Sequence, residues 1–198
     1  MEAQVAFTID DDAPTTEVLP GRLVLVVGPS GAGKDTLIEA TRLALAEDRR
    51  FVFPRRVVTR AASEAEDNIV ADEDGFRAVA ARGGFALSWQ AHGHHYGIPS
   101  AIVADLAAAR TVVINVSRSV IGEARRRWPD VTVVEVTAPA EVLAHRIAAR
   151  ARPSDGAGPE RLARRFEGGD RPSADTTIDN GGELDTAIAA FLAAVVGS

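Results

Sequence analysis

Short apolar runs alternate with amphipathic stretches along most of the chain. The runs predicted to be buried parallel strands are residues 23–27, 57–58 with their flanks, 111–116 and 131–136. The stretches predicted to be helices, because apolar residues recur there every three or four positions, are residues 37–46, 119–128 and 140–151. Alternation of this kind predicts an α/β fold, in which helices flank both faces of a central parallel sheet.

The two ends of the chain depart from this alternation. Residues 1–20 contain clustered aspartates, prolines and threonines and predict a flexible leader, with a short strand at residues 5–9. Near the other end, a turn at residues 180–184 and an amphipathic stretch at residues 183–196 predict a closing helix. We therefore expect one domain over residues 21–198.

Two polar segments interrupt the pattern inside this predicted domain. Residues 59–100 are too long for a simple crossover and carry unusual polar residues, including three histidines within residues 92–95. Arginines surround a loop rich in Pro, Gly and Ser at residues 150–161, which favours a lid that closes over phosphates. An ordinary surface loop is the alternative interpretation of both segments.

One short sequence motif carries recognisable chemistry. The stretch from Gly28 to Thr36 reads GPSGAGKDT and lies between a predicted strand and a predicted helix. Gly28, Gly33 and Lys34 meet the spacing GxxxxGK of a phosphate-binding loop. Inward backbone N–H groups and the helix N-terminus attract a polyanion there, and Lys34 adds a positive charge for the transferring phosphate. The position after the lysine, usually Ser or Thr, holds Asp35.

Composition excludes several other classes of protein. A net charge of -6 argues against extensive nucleic-acid binding. The absence of cysteine excludes disulfides, cysteine-ligated zinc and a thiol nucleophile. No apolar run approaches the roughly 20 residues of a membrane span, and the acidic N-terminus lacks the basic region of a secretory signal. We expect a soluble cytoplasmic protein with no membrane or nucleic-acid partner.

The motifs together resemble one known family. The phosphate-binding loop, Thr59-Arg60, and the stretch from Phe85 to Gly97 with its sequence HGHHYG are similar to the guanylate kinase family from about residue 22 to the C-terminus. This resemblance implies a P-loop NTPase fold with a central parallel sheet. It also implies an acceptor-binding segment at about residues 59–100 and an arginine-bearing lid at about residues 146–165.

The residues with which guanylate kinases read guanine are replaced. Ser63 stands where that family has a second arginine, Asp74 where it has a loop tyrosine and Leu87 where it has a base-reading glutamate. The family's acidic residue after the central strand falls within residues 115–117. A site built to hydrogen-bond guanine depends on such polar groups, so we expect a different acceptor.

A branch of the family carries the same changes. The sequences at residues 28–35, 58–60, 86–89, 91–99 and 115–118, with aspartate after the lysine, resemble the ribose 1,5-bisphosphate phosphokinases associated with bacterial phosphonate degradation. The resemblance implies that ATP phosphorylates the 1-phosphate of ribose 1,5-bisphosphate, a phosphorylated sugar. The products would be ADP and 5-phosphoribosyl 1-diphosphate.

The resemblance also implies roles for individual residues. The residues expected to bind ATP are Gly28, Pro29, Ser30, Gly31, Ala32, Gly33, Lys34, Asp35, Thr36, Arg152 and, near the adenine, Asn180. The residues expected to bind the acceptor are Thr59, Arg60, His92, Tyr96, Gly97, Ser117 and Arg118. The residues expected to act on the transferring phosphate are Lys34, Arg60, Arg118, Arg146 and Arg150. Asp35 or Thr36 is expected to ligate Mg²⁺ directly or through water, with a first-turn helix acid as the alternative role of Asp35.

Other interpretations remain open from the sequence alone. The chain fits a kinase acting on another nucleotide or on a sugar such as gluconate. It also fits a guanylate-kinase-like module that binds a protein without catalysis, although Lys34 and the intact glycines argue against this. A zinc site at the three histidines is weakly indicated, and a homodimer is an assembly that the sequence leaves open.

Overall fold

The structure is a computed structural model, and it describes residues 20–60, 67–150 and 173–197. The strands in chain order are β1 (Arg22–Val27), β2 (Phe51–Val52), β3 (Val57–Val58), β4 (Ile69–Val70), β5 (Phe85–Ala91), β6 (His94–Pro99), β7 (Thr111–Asn115), β8 (Val131–Thr137) and β9 (Thr176–Asp179). The helices are α1 (Lys34–Ala44), α2 (Glu73–Ala81), α3 (Ile102–Ala107), α4 (Ile121–Arg127), α5 (Ala140–Arg150) and α6 (Leu184–Val196). A 3₁₀ turn, Arg118–Val120, leads into α4.

Five of these strands form a parallel sheet. Their order is β2-β7-β1-β8-β9, and every neighbouring pair is parallel. Strand β1 lies in the centre, where Leu23, Val24, Leu25 and Val26 are completely buried. A strand covered on both faces has no polar face, which explains why the chain shows continuous apolar runs here.

Helices cover both faces of this sheet. On one face, Leu23 and Leu25 pack in a cluster with Ile102 of α3 and Ile121 of α4. The other face has a second cluster, whose members include Val24 and Val26 of β1, Leu37 of α1, Leu143 of α5 and Phe191 of α6. The predicted arrangement of a central parallel sheet with helices on both sides is confirmed.

A smaller sheet stands beside the main one. Its order is β4-β3-β6-β5, and it mixes one parallel pair with two antiparallel pairs. The prediction that residues 57–58 form a strand of the buried parallel sheet is wrong, because β3 belongs to this smaller sheet. The main sheet is instead completed by β2 and β9, which the sequence did not reveal because β2 has two residues and β9 alternates buried and exposed positions.

The remaining predicted elements agree with the structure within a few residues. The stretch 37–46 forms α1, 119–128 forms the 3₁₀ turn with α4, and 140–151 forms α5. The turn after β9 and the closing helix α6 are also confirmed. The leader with its strand at 5–9, and the lid beyond residue 150, lie outside the described residues. No helix in the described part of the chain is long and apolar enough to cross a membrane.

Candidate active site

The phosphate-binding loop connects β1 to α1 at the carboxyl edge of the parallel sheet. Gly33 is the N-cap of α1 and has a left-handed backbone, with φ 85°. A Cβ at this position would lie 2.3 Å from Asn180 Nδ2, so the turn needs a residue without a side chain. The backbone N–H groups at the start of α1 remain available to an anion because no side chain caps this end.

The lysine of the motif lies against the loop. Lys34 Nζ donates hydrogen bonds to the carbonyl oxygens of Gly28 and Pro29, each at 2.9 Å. The loop therefore holds the ammonium group next to the N-terminus of α1, where a bound phosphate would meet two sources of positive potential.

Asn180, at the end of the edge strand of the main sheet, supports the loop. It follows β9, its backbone N–H donates to Thr137 O at 2.8 Å, and its side chain is only 2% exposed. The side-chain Nδ2 donates to Ala32 O at 2.8 Å. Within the described structure, Asn180 Oδ1 has no hydrogen-bond partner. Asn180 therefore braces the phosphate-binding loop, while its predicted place near the adenine stays a prediction.

Helix α5 brings a second cation to the loop. Arg146 Nη1 lies 3.5 Å from Gly31 O, and a Cβ on Gly33 would lie 3.8 Å from the same nitrogen. The predicted proximity of Arg146 to the donor phosphates is compatible with this position. The side chain of Arg150 and the whole of Arg152 fall outside the described residues.

Asp35 is tied to the central sheet. Asn115, which ends β7 and is 8% exposed, donates from Nδ2 to Asp35 Oδ1 at 2.8 Å. Arg56 Nη2 lies 4.0 Å from the same oxygen. Asp35 is thus more than a first-turn helix acid, because it joins α1 to β7 and to the segment before β3.

The side-chain oxygens at the start of α1 suit Mg²⁺. This ion usually takes one or two ligands from the protein, and water and substrate phosphates supply the rest. Asp35 offers a carboxylate and Thr36 a hydroxyl. Among the described residues, no group of three or more His, Asp or Glu side chains is arranged to hold a metal ion. The suggestion of a zinc site at the three histidines therefore gains no support.

A cavity of about 490 Å³ opens beside Asp35. Its lining residues are Asp35, Ile38, Glu39, Arg42, Phe53, Pro54, Arg55, Arg56, Asp67, Asn68, Val113, Ile114 and Asn115. The volume falls in the range of small-molecule sites, about 300 to 1,000 Å³. On the cavity wall, the Arg42 guanidinium donates a hydrogen bond to the Glu39 carboxylate and so holds the pKa of Glu39 below its usual value.

The predicted acceptor residues around β3 are held by the smaller sheet. Thr59 N donates to His95 O at 3.1 Å, and Thr59 Oγ1 accepts from His95 N at 2.9 Å. The Thr59 hydroxyl thus supports the pairing of this segment with β6. Arg60 follows directly and is half-buried.

The hairpin between β5 and β6 carries the HGHHYG sequence. His92 begins its turn with φ 53°, and Tyr96 stacks on Trp89 with ring centroids 5.3 Å apart. Gly97 lies against the Phe85 ring, where a Cβ would approach within 2.6 Å. Tyr96 and Gly97 therefore have evident packing roles, and their contacts with an acceptor stay predictions.

Arg118 is engaged by a residue that sequence reasoning missed. It follows β7, as predicted, but its guanidinium forms an ion pair and hydrogen bond with Glu135 of β8. Ser117 caps the 3₁₀ turn by accepting from Ser119 N at 3.3 Å. Glu135 was visible in the sequence as the one charged residue in an apolar run, which is the signal that could have found it.

The positions matching guanine-reading residues do not form a base-binding group. Leu87 is 1% exposed and belongs to the core beneath the parallel sheet. Asp74 lies on α2, where its exposed carboxylate accepts from Arg77 at 2.6 Å. Ser63 lies outside the described residues.

Comparisons with known proteins agree with this geometry. The chain is 56% identical over 170 residues to ribose 1,5-bisphosphate phosphokinase PhnN of Rhodopseudomonas palustris, covering 85% of this chain and 86% of that protein. It is 55% identical over 166 residues to the protein of the same name from Bradyrhizobium diazoefficiens, covering 84% and 83% of the two chains. Guanylate kinase from Anaplasma phagocytophilum shares the fold, with a TM-score of 0.61 at 18% identity over 90% of this chain and 88% of that chain. No protein-family model matches the chain.

Proposed function

Because this chain belongs to the family of ribose 1,5-bisphosphate phosphokinases, we propose that it transfers the γ-phosphoryl group of ATP to ribose 1,5-bisphosphate. An oxygen of the acceptor's 1-phosphate forms the new bond to the γ-phosphorus, and the bond from that phosphorus to the ADP oxygen breaks. The products are 5-phosphoribosyl 1-diphosphate and ADP. In this proposal the reaction belongs to phosphonate catabolism. The observation that carries the proposal is the 56% identity over most of both chains.

Phosphoryl transfer depends on positioning and on neutralising charge, since the acceptor is already a phosphate oxygen. The backbone of residues 31–34 cradles the donor's β-phosphate in this proposal, and Lys34 reaches the γ-phosphate. Arg146 supports this assignment, because its guanidinium already lies at the loop carbonyl of Gly31. Asp35 or Thr36 would hold Mg²⁺, directly or through water, and the ion would further neutralise the phosphate charge.

The acceptor is bound by the segment that includes β3 and the β5–β6 hairpin. Arg60 contacts an acceptor phosphate, and Thr59, His92, Tyr96 and Gly97 shape the same site. Arg118 reaches the acceptor from the end of β7 together with Ser117, in competition with its ion pair to Glu135. Arg150 and Arg152 close on the donor phosphates, with Asn180 on the side of the adenine. A cytoplasmic location, a homodimer and the absence of a nucleic-acid partner stay predictions.

A coupled ADP-release assay tests the proposal. Ribose 1,5-bisphosphate, GMP, AMP and gluconate are compared as acceptors with Mg-ATP, and 5-phosphoribosyl 1-diphosphate is detected directly. We expect turnover with ribose 1,5-bisphosphate alone. Turnover with GMP would identify a divergent guanylate kinase instead, and inactivity with every acceptor despite ATP binding would favour a non-catalytic module.

A further inference from the structure

The cavity beside Asp35 is lined in part by Arg56, an arginine to which neither the sequence motifs nor the family resemblance gave a role. We propose that Arg56 binds a phosphate group of the acceptor and so helps to select a bisphosphorylated sugar. The proposal rests on the function proposed above and names one more residue that reads its substrate.

Burial distinguishes Arg56 from the other arginines of the cavity. Its side chain is 12% exposed, whereas those of Arg42 and Arg55 are 48% and 52% exposed. Long arginine side chains lose little freedom on binding when the protein already holds them, so a buried guanidinium is better prepared to bind a ligand than an exposed one.

Hydrogen bonds from two parts of the fold fix the direction of this guanidinium. Arg56 Nε lies 3.2 Å from Asn68 Oδ1, just before β4, and Nη1 lies 3.4 Å from Asn115 O, at the end of β7. Asn68 precedes a strand of the smaller sheet, and Asn115 ends a strand of the main sheet. The guanidinium is held between these sheets on the wall of the cavity.

Arg56 also lies close enough to the phosphate-binding loop to place an acceptor beside the phosphoryl donor. Asp35 Oδ1 lies 4.0 Å from Arg56 Nη2, and Asp35 directly follows Lys34 in the first turn of α1. The cavity is lined by the carboxyl end of β7 and by residues that follow β2, at the edge where open α/β sheets bind their ligands. An anion in the cavity would thus lie beside Asp35, the residue after Lys34. An acceptor has to lie this close to the donor phosphate that Lys34 binds.

The chemistry of the side chain favours phosphate over a neutral sugar hydroxyl. A guanidinium presents several donors in one plane and can bind two phosphate oxygens at once. Asp35, fixed by Asn115, stands beside Arg56 and acts as a positioning residue that orients it. A ligand with a phosphate monoester therefore gains charge-assisted hydrogen bonds here that an unphosphorylated sugar does not.

Steady-state kinetics of Arg56→Gln and Arg56→Lys test the proposal. We expect Arg56→Gln to raise the KM for ribose 1,5-bisphosphate about 10- to 100-fold while the KM for ATP changes less than about twofold. Arg56→Lys keeps the charge without the planar donors, so it should recover part of the loss. Arg50→Gln removes an equally charged side chain that is 77% exposed and paired with Asp48, and it should leave both KM values unchanged.

Each outcome has a distinct meaning. If the wild type phosphorylates ribose 1,5-bisphosphate and Arg56→Gln does so with the same KM, the assignment of Arg56 is overturned while the proposed function stands. If the variant melts earlier and both KM values rise together, Arg56 only braces the two sheets and the assignment is again overturned. If the wild type neither binds nor phosphorylates the sugar, the proposed function fails and the assignment fails with it. Calorimetric binding of ribose 1,5-bisphosphate without ATP separates this last case from slow chemistry.

Discussion

Replacing Asn180 tests whether one buried hydrogen bond supports the phosphate-binding loop. The Asn180 amide donates to Ala32 O at 2.8 Å, and both residues are almost completely buried. Asn180→Ala removes the donor and leaves the Ala32 carbonyl without this partner in a place that water does not reach. The substitution therefore acts on the phosphate-binding loop through the Ala32 carbonyl.

The expected loss of stability follows from the burial of that carbonyl. A buried acceptor deprived of its donor costs about 1 to 3 kcal/mol. Two smaller effects oppose each other, since the unsatisfied Oδ1 is removed and a small void is created. A loss of about 1 to 3 kcal/mol lowers the melting temperature of a chain of this size by roughly 2 to 12 °C. We also expect the KM for ATP to rise, because the loop loses its support.

Asn180→Asp sharpens the experiment because it keeps the size of the side chain. A protonated carboxyl can still donate to Ala32 O, but an ionised one cannot and is buried as a charge. The folded state then binds a proton more tightly than the unfolded state, so stability falls as the pH rises. We expect Asn180→Asp to be closer to the wild type at about pH 5 than at about pH 8.

Urea denaturation and ATP kinetics measure both effects. Thr177→Ala is the matched control, because Thr177 lies exposed on the same strand β9. The control should remain within about 0.5 kcal/mol of the wild type. If Asn180→Ala does the same and its KM for ATP is unchanged, the loop does not depend on this hydrogen bond and the reasoning is refuted.

Three further predictions concern the donor, the acceptor and the core. Lys34→Ala should lower turnover by on the order of 10²-fold or more, because a preorganised charge contact is lost, and near-normal turnover would contradict its role. Arg60→Ala should raise the acceptor KM or lower kcat while sparing ATP binding, and an unchanged response to the acceptor would remove it from the site. Phe191→Ala should cost about 3 to 5 kcal/mol in denaturation experiments, because Phe191 is completely buried beneath the parallel sheet, and a loss below about 1 kcal/mol would show that the core there repacks.

The fold was predictable where local pattern and burial agree. Strand β1 was predicted because a strand buried on both faces is apolar throughout. Helix α6 was predicted because apolar residues recur every three or four positions along a helix that packs on one side. The assignment of residues 57–58 to the main sheet failed because an apolar dipeptide does not specify its partner strand. Long-range pairing with β6 decides that question, and the sequence of β3 alone does not contain it.

The candidate site divides in the same way. The phosphate-binding loop could be identified because its glycines and Lys34 are consecutive, so the chemistry lies within one turn of chain. The partners of Asp35 could not, since Arg56 and Asn115 come from segments 21 and 80 positions away. The ion pair of Arg118 with Glu135 likewise joins the 3₁₀ turn after β7 to strand β8.

The phosphate-binding loop and the α/β class could be identified from the sequence alone, and its resemblance to known proteins identified the family and its reaction. Each of these depends on residues that are neighbours in the chain or on a periodicity that one element imposes. The folded chain was needed to show that Asn180 braces the loop, that Leu87 is buried in the core, and that Arg56 lines the cavity beside Asp35. These facts depend on which strand ends meet at the edge of the sheet, and that is settled by packing between distant segments.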